Sequence, residues 1–321
     1  MLQDNYGRQF RYLRLSVTEA CNYRCNYCLP DGYQQEGRPS FLSLTEIRKI
    51  ASAFAQAGID KIRITGGEPS IRKDLPQIIE AVKATPGIKT VALTTNGHRM
   101  EKYLDDWVAA GLDRLNVSID SFDPRMFNSI TGHDALESIL RALDKACATS
   151  IGTIKVNTVL MRQYNLREFE DFLSWIKDRP ITLRMIELME TGDNKQFFHD
   201  NHVAANELES SLISRGWQRQ IRAKSAGPAK EYFHPDFDGR IGFIAPYSKD
   251  FCSSCNRLRV SSLGKLHLCL FGEEGYELRP YLDDPEKLIH YIHQVLGLKL
   301  PTHYLQEHQS GATKHLAMLG G

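Results

Sequence analysis

The sequence predicts an α/β protein with a parallel sheet of six strands, each followed by a helix, and a C-terminal extension. Over the first two thirds of the 321 residues, short β-rich runs alternate with amphipathic stretches of helical period. After about residue 190 this alternation stops, and no low-complexity linker separates the remainder. We therefore expect two regions, residues 1–220 and residues 221–321, with the second packed on the first.

The six predicted strands are YLRLSVT (12–18), KIRITGG (61–67), TVALTTNG (90–97), RLNVSID (114–120), TIKVNTVL (153–160) and TLRMIELM (182–189). The helix candidates include TEIRKIASAFAQAG, DLPQIIEAVKAT, EKYLDDWVAAG, LREFEDFLSWIKDR, NELESSLISRGW and PEKLIHYIHQVLG. Gly58 and Gly111 are placed where two of these helices should end. TGDNKQFFHDNH is polar, and we expect it to be a loop.

Composition limits the class of partner. The net charge is +1, so no global field favours nucleic acid or an anionic membrane, and no basic aromatic patch indicates RNA binding. No window approaches the ~18 apolar residues of a membrane span, and the first residues lack the apolar region of a signal peptide. We expect a cytoplasmic protein with no membrane partner. In a reducing compartment, clustered cysteines more often bind metal than form disulfides.

Four of the predicted strands carry one basic residue between two apolar ones, namely Arg14, Arg63, Lys155 and Arg184. Strand side chains alternate between faces, so the apolar neighbours pack under the helices and the basic residue faces the opposite side, which in a barrel is the interior. The hydrogen-bonding residues Thr94, Asn96, Asn116 and Ser118 alternate in the same way.

Four converging cations cannot be buried without a partner, because each unpaired ion costs several kcal/mol. A polyanionic ligand such as a triphosphate satisfies this requirement. The alternative is a structural network in which acids such as Glu68, Glu187 and Asp120 pair with the basic residues.

Cys21, Cys25 and Cys28 form the first of two cysteine triplets. A zinc site normally closes with four protein ligands, and a redox pair needs only two thiols. An iron-sulfur cluster accepts three thiolates and leaves one iron free for another ligand. Cys147, outside both triplets, lies in a helical pattern and is expected to be a small buried hydrophobe.

The spacing C-x3-C-x2-C, with Tyr27 before the last cysteine, resembles the signature of the radical S-adenosylmethionine (SAM) superfamily. The next strand ends in ITGGEP, which resembles that family's glycine-rich SAM motif, and Gly66 and Gly67 permit close approach of a ligand. The resemblance implies an incomplete (β/α)6 TIM-type barrel, a 4Fe-4S cluster that binds SAM, and a 5'-deoxyadenosyl radical. A radical must be kept from water, so the extension should close the barrel mouth.

Cys252, Cys255 and Cys269 form the second triplet, and on spacing alone His267 or His234 could complete a zinc site. The surrounding run KDFCSSCNRLRVSSLGKLHLCLFGEEG, however, resembles the C-terminal segment of the GTP 3',8-cyclase family, also called molybdenum cofactor biosynthesis protein A. SAGPAKEYF, IELMETGDN and the terminal Gly-Gly are similar too, so the resemblance covers nearly the whole chain.

The resemblance implies a second 4Fe-4S cluster whose free iron binds GTP. It also implies the product (8S)-3',8-cyclo-7,8-dihydroguanosine 5'-triphosphate, made by removing the ribose 3'-hydrogen in the first step of molybdenum cofactor biosynthesis. A reductant such as flavodoxin or ferredoxin, a downstream cyclic pyranopterin monophosphate synthase and a homodimer are the implied partners.

Carried over residue by residue, the family's SAM contacts are Tyr27, Gly67, Ser118 and Met189. The implied GTP contacts are Arg14, Arg63, Thr94, Lys155, Arg184, Arg257, Leu258 and Arg259. The implied catalytic residues are Arg14, Arg257, Arg259, Gly320 and Gly321. Two departures are small: Ser70 and Ile71 follow ITGGEP where apolar residues are usual, and the tail reads AMLGG rather than carrying serine and isoleucine.

Two other functions remain open at this point. A different radical SAM enzyme with an auxiliary cluster, such as a peptide-maturing enzyme, predicts a peptide groove and more C-terminal cysteines. A zinc-stabilised binding module on a barrel scaffold is the non-enzymatic alternative.

Overall fold

The computed structural model describes residues 1–34, 40–221, 227–249, 251–272, 275–307, 311 and 316–320. These residues form a twelve-stranded sheet and a separate two-stranded ribbon. The strands are β1 Leu2–Gln3, β2 Gln9–Phe10, β3 Tyr12–Ser16, β4 Lys61–Thr65, β5 Thr90–Thr95, β6 Arg114–Ser118, β7 Thr153–Leu160, β8 Ile181–Glu187, β9 Gln218–Arg219, β10 Lys230–Phe233, β11 Arg240–Ile244, β12 Arg257–Val260, β13 Lys265–His267 and β14 Tyr276–Glu277.

The described helices are α1 Leu44–Gln56, α2 Leu75–Lys83, α3 Met100–Ala109, α4 Pro124–Thr131, α5 Leu136–Cys147, α6 Phe169–Trp175, α7 Lys195–Asn201, α8 Asn206–Ser214 and α9 Pro285–Leu296. Ser43 begins α1 with a capping box, in which its hydroxyl accepts from the Glu46 backbone and the Glu46 carboxylate accepts from Ser43 N. Gly58 and Gly111 follow α1 and α3 with φ of 106° and 96°, so the predicted helix ends are confirmed. In the described part of the chain, no helix is both long enough and apolar enough to cross a membrane.

The six predicted strands are β3 to β8, and they pair in chain order with parallel neighbours, which confirms the predicted α/β fold. The extension joins this sheet at both sides. β11 pairs in parallel with β8, and β12 pairs in parallel with β3. The C-terminal region therefore continues the barrel wall at both edges, in addition to covering it.

One local prediction is wrong, because the polar segment TGDNKQFFHDNH contains helix α7. Its two phenylalanines make tertiary contacts that the polar composition conceals. Phe197 packs against Tyr164 with ring centroids 5.8 Å apart, and Phe198 packs against Tyr247 at 5.7 Å. Apolar contacts to the barrel thus stabilise a short helix in which Lys195, Gln196 and His199 are exposed and Asn201 is buried.

The main core lies between the sheet and the helices. On β7, alternate residues Ile154, Val156 and Leu160 are buried against this layer, whereas Lys155 and Asn157 face the inner side of the sheet. The same alternation on neighbouring strands gives the inner face its polar character.

Candidate active site

The inner face of the sheet and the extension enclose a cavity of about 660 Å³, hereafter the inner cavity. The described residues that line it include ten basic side chains and one acidic side chain, Glu231. The ten basic residues are Arg8, Arg14, Lys61, Arg63, Arg114, Lys155, Arg184, Arg257, Arg259 and Lys299. The prediction that Arg14, Arg63, Lys155 and Arg184 converge inside the barrel is therefore confirmed.

Three arginines form a row across neighbouring parallel strands. Arg259 of β12 is in register with Arg14 of β3, which is in register with Arg63 of β4. Burial, together with the nearby Arg257, lowers the pKa of Arg259 to about 10. Although burial alone would raise it, the positive charges of Arg63 and Arg14 lower the pKa of Tyr12 to about 7. The row therefore has a positive potential suited to a polyanion.

Lys155 and Arg184 have an internal partner. The Glu231 carboxylate of β10 accepts from Lys155 Nζ at 2.6 Å and from Arg184 at 2.8 Å, with both donors on Oε1. All three side chains are at most 19% exposed. This pairing lowers the pKa of Glu231 to about 2 against the effect of burial, which raises it.

The structural network expected as the alternative is present in part among the described residues: Glu231 pairs with Lys155 and Arg184, but the three acids named from the sequence are bonded elsewhere. Glu68 accepts from Ser70 N, Thr95 Oγ1 and Asn96 N, at 2.9, 2.6 and 2.6 Å respectively. Glu187 accepts from Ala205 N at 2.7 Å, and Asp120 accepts from Val159 N at 2.8 Å.

The first cysteine triplet lies in the loop that follows β3, and the GGE sequence after β4 holds this loop in place. Gly67 N donates to Thr18 O and Glu68 N donates to Ala20 O, both at 2.8 Å. A Cβ on Gly67 would lie 2.3 Å from the carbonyl oxygens of Glu19 and Ala20. The sequence interpretation assigned these glycines to the approach of a ligand; the structure adds that they admit the backbone of the cysteine loop.

The three thiols of this loop are in a poorly solvated environment. Burial raises the pKa of Cys21 to about 11 and that of Cys28 to about 12. Burial raises the pKa of Cys25 well above its usual value, and the Asp120 carboxylate adds to this effect. Tyr27 donates to Asp120 Oδ2 at 2.9 Å, so the residue before the last cysteine is fixed to the end of β6.

The second triplet borders the ten basic side chains that line the inner cavity, hereafter the cationic wall. Cys252 and Cys255 are joined by a turn, with Cys255 N donating to Cys252 O at 3.1 Å, and Cys269 follows β13. Burial raises the pKa of Cys255, but Arg257 and Lys299 outweigh it and lower the pKa to about 7. Burial raises the pKa of Cys252, so within the second triplet the surroundings favour the thiolate of Cys255 specifically.

Neither triplet has the geometry of a closed zinc site. Among the described residues, no three His, Cys, Asp or Glu side chains converge closely enough to hold a single metal ion. His234 packs against Trp217 and Phe237, with ring centroids 5.6 and 5.4 Å away. Two sets of three thiols, none in a described disulfide, fit iron-sulfur clusters with one open iron. Buried Asn157 Oδ1 faces the inner cavity without a hydrogen-bond partner in the structure, which suits a ligand hydroxyl.

The C-terminal tail connects the two triplets. Arg14 donates to Gly320 O, and Arg259 donates to Leu319 O at 3.1 Å and to Gly320 O at 3.0 Å. At its other end, backbone N–H groups of residues 316–317 hydrogen-bond Cys28. A small apolar cluster packs around the tail and contains Tyr27, Cys28, Met189, Tyr247, Cys269, Leu270, Phe271, Leu305, Leu316, Met318 and Leu319.

The glycine tail was expected to reach this site, and Gly320 does so. Its φ is 63°, and a Cβ there would lie 2.3 Å from Thr65 Cγ2, so only glycine fits. Gly321 lies outside the described residues.

Half of the other eight predicted contact residues line the inner cavity, whereas Tyr27, Gly67, Ser118 and Leu258 do not. Thr94, Met189, Arg257 and Arg259 line it, and Thr94 Oγ1 accepts from Arg63 at 2.9 Å. The side chain of Leu258 is fully buried in the main core, on the opposite side of β12 from the inner cavity. Ser118 ends β6, in register with Asn157. Asn96 is bound to the cysteine loop, where its amide donates to Asn22 Oδ1 at 2.9 Å.

The sequence interpretation missed several lining residues. Tyr12, Lys61, Arg114 and Asn157 each lie two positions from a residue it selected, namely Arg14, Arg63, Asn116 and Lys155. Period-two alternation extended by one step would have identified all four. Glu231 has no such signal, because its strand joins the sheet only through tertiary pairing with β11.

Comparison with known proteins agrees with this geometry. Residues 15–176 match the Radical SAM superfamily, and residues 181–305 match Molybdenum Cofactor Synthesis C. A protein named GTP 3',8-cyclase from Vibrio vulnificus is 52% identical, over 99% of this chain and 97% of the relative. A protein of the same name from Tolumonas auensis is 53% identical, over 100% of this chain and 96% of the relative.

Solved structures share the fold at low identity. SuiB of Streptococcus suis with bound S-adenosylmethionine has a TM-score of 0.60 at 13% identity, covering 89% of this chain and 68% of SuiB. SuiB with its precursor peptide SuiA has a TM-score of 0.55 at 14% identity, covering 97% and 76%. From the family matches and the full-length relatives, the chain belongs to the radical SAM superfamily and, within it, to the GTP 3',8-cyclase family.

Proposed function

We propose that this protein is a GTP 3',8-cyclase, which converts GTP into (8S)-3',8-cyclo-7,8-dihydroguanosine 5'-triphosphate in the first step of molybdenum cofactor biosynthesis. The single observation that carries this proposal is the inner cavity, with ten basic side chains beside one cysteine triplet and a tail that leads to the other. A triphosphate supplies the negative charge that this wall requires. A peptide substrate would not account for the concentration of positive charge.

The first triplet, Cys21, Cys25 and Cys28, is suited to the 4Fe-4S cluster of the superfamily. When bound there, the cluster and SAM supply the 5'-deoxyadenosyl radical that removes the ribose 3'-hydrogen. We assign the surrounding Tyr27, Gly67, Ser118 and Met189 to SAM. The Tyr27–Asp120 hydrogen bond and the GGE contacts keep the loop in one conformation, so the cofactor is held by a rigid frame.

The second triplet, Cys252, Cys255 and Cys269, is proposed to hold a second 4Fe-4S cluster that faces GTP. Arg257 and Lys299 favour the thiolate form of Cys255, the form that iron requires. On this proposal, the base lies at the second triplet and the triphosphate extends along the cationic wall. The proposed GTP contacts are Arg14, Arg63, Thr94, Lys155, Arg184, Arg257, Arg259 and the backbone of Leu258.

Arg14, Arg257 and Arg259 are also the proposed catalytic side chains, together with Gly320 and Gly321 of the tail. The Gly320 and Leu319 carbonyls accept from Arg14 and Arg259, so the tail orients two guanidinium groups toward the substrate. The apolar cluster around the tail excludes water from the space between the triplets, which protects a reactive intermediate.

Several features of the wider system are part of the same proposal. A flavodoxin or ferredoxin would supply the electron, and a cyclic pyranopterin monophosphate synthase would take the product. We also propose a homodimer, a cytoplasmic location and a division into residues 1–220 and 221–321.

Metal analysis and spin resonance test the proposal together. Iron and zinc are measured in anaerobically reconstituted protein, and the spectrum of the reduced protein is recorded with and without GTP. About eight irons per chain, a GTP-dependent spectrum and formation of the cyclic triphosphate are expected for two open clusters. About four irons with one zinc would contradict GTP binding at the second triplet. Turnover that forms no cyclic triphosphate would reject the assigned activity.

A further inference from the structure

Glu231 is the one acidic side chain among the described residues that line the inner cavity, and it is bonded to two of the ten basic ones. Lys155 and Arg184 share a single oxygen, Oε1, at 2.6 and 2.8 Å. These two cations are also proposed contacts of the triphosphate. A carboxylate therefore already occupies a position where the substrate's negative charge is required.

The position of Glu231 depends on a neighbouring glycine. On the extension side of the sheet, Glu231 of β10 is in register with Gly242 of β11, and Gly242 is in register with Arg184 of β8. A Cβ on Gly242 would lie 3.0 Å from Glu231 Cγ. Because Gly242 has no side chain, the Glu231 side chain can cross over β11 at this position and reach Arg184 and Lys155.

The charge of Glu231 is permanent under physiological conditions. Burial raises its pKa, but Lys155 and Arg184 outweigh burial and hold the pKa near 2. Glu231 in turn raises the pKa of Lys155. Burial has the larger effect and lowers that pKa to about 8. Removing one carboxylate thus leaves two buried cations available to another anion, provided that the pH keeps Lys155 protonated.

We propose that Glu231 is a built-in counter-anion that occupies part of the triphosphate position in the nucleotide-free protein and is displaced from Lys155 and Arg184 by the substrate. This inference rests on the proposed GTP function. It identifies Glu231 as a specificity-determining residue: an incoming anion must offer more than the one shared oxygen of a carboxylate, and a polyphosphate does so.

The test measures binding of inorganic triphosphate and of GTP by calorimetry, on reconstituted protein near pH 6.5. Glu231→Gln keeps the shape and removes the competing charge, so both ligands should bind about tenfold more tightly than to the wild type. Glu209→Gln is the matched control. Glu209 lies outside the inner cavity and accepts from Tyr232, the neighbour of Glu231 on β10. The Glu209→Gln variant should bind both ligands as the wild type does.

Unchanged or weaker triphosphate binding by Glu231→Gln would overturn the inference and show that Glu231 only supports Lys155 and Arg184. If that variant does not fold, Glu231→Ala, which removes the same carboxylate, replaces it with the same expected gain. If Glu231→Gln binds triphosphate more tightly but neither the wild type nor any variant binds GTP, the counter-anion role would be supported and the nucleotide proposal rejected. Failure of the wild type to bind either ligand would reject both.

Discussion

The two cysteine triplets have the same number of thiols but differ in the charged side chains beside them. Cys21, Cys25 and Cys28 lie in a tightly packed loop, where burial raises the pKa of Cys28 to about 12. Cys255 of the second triplet has its pKa lowered to about 7, because Arg257 and Lys299 outweigh burial. Burial also raises the pKa of Cys252, so the difference between the triplets lies in Cys255 and the two cations beside it.

This difference corresponds to what each site must hold. A cofactor that generates a radical needs a rigid, dry frame, which the GGE contacts and the apolar cluster around the tail provide. A polyanionic substrate needs compensating charge, which the arginine row provides. The tail makes contact with both, so the two sites form one continuous centre.

Serine substitutions of the cysteines should give the largest difference in activity between the two triplets. Cys28→Ser should reduce SAM cleavage and product formation to below about one thousandth of wild type, because the radical source is lost. Cys269→Ser should retain SAM cleavage to 5'-deoxyadenosine but form no cyclic triphosphate. Chromatography of both products after anaerobic turnover distinguishes the variants. Cys147→Ser, on α5 outside both triplets, is the control. Normal product from Cys269→Ser would contradict the substrate role of the second triplet.

Loss of Arg14 or Arg63, two of the three arginines in the row, should weaken binding of the substrate and not of the cofactor. Arg14→Ala and Arg63→Ala should each weaken GTP binding about 100-fold, since a charge-assisted phosphate contact is removed. SAM binding should change by less than about twofold. Equilibrium binding of the two ligands measures this ratio. Arg141→Ala, an exposed residue of α5 paired with Glu101, is the matched control. An equal loss of affinity for both ligands would indicate that the row is structural.

Alanine at Gly67 should disturb the packing of the first triplet alone. Its Cβ would lie 2.3 Å from two carbonyl oxygens, so we expect about 2–3 kcal/mol of lost stability and release of the first cluster's iron. Gly227→Ala is the control, because a Cβ there meets no atom of the described residues within 4 Å. Thermal unfolding and iron content measure the effect. A Gly67→Ala protein with wild-type iron and melting temperature would refute the packing role.

The pH dependence of triphosphate binding should be the smallest effect. Burial lowers the pKa of Lys61 and of Lys155 to about 8, so these groups lose positive charge as the pH rises through that value. Affinity should therefore fall between about pH 7 and 9, by at most tenfold per pH unit for each lysine. Lys155→Arg keeps its charge and should flatten the curve. Calorimetry with inorganic triphosphate measures it, and affinity that rises over this range would exclude the assignment.

The sequence by itself determined the six parallel strands, the inward direction of Arg14, Arg63, Lys155 and Arg184, and the two cysteine triplets. These features are local, since strand alternation and short motif spacing depend only on neighbouring residues. Extending the same alternation would also have found Lys61 and Arg114.

Only the tertiary structure decided how distant segments meet. β11 and β12 join opposite edges of the sheet, Glu231 reaches Arg184 across the gap at Gly242, and the tail connects Cys28 to Arg259. Helix α7 depends on contacts of Phe197 and Phe198 with residues far along the chain. Such contacts depend on how separate elements pack and carry no periodic signal, and for that reason they could not be read from the residues that make them.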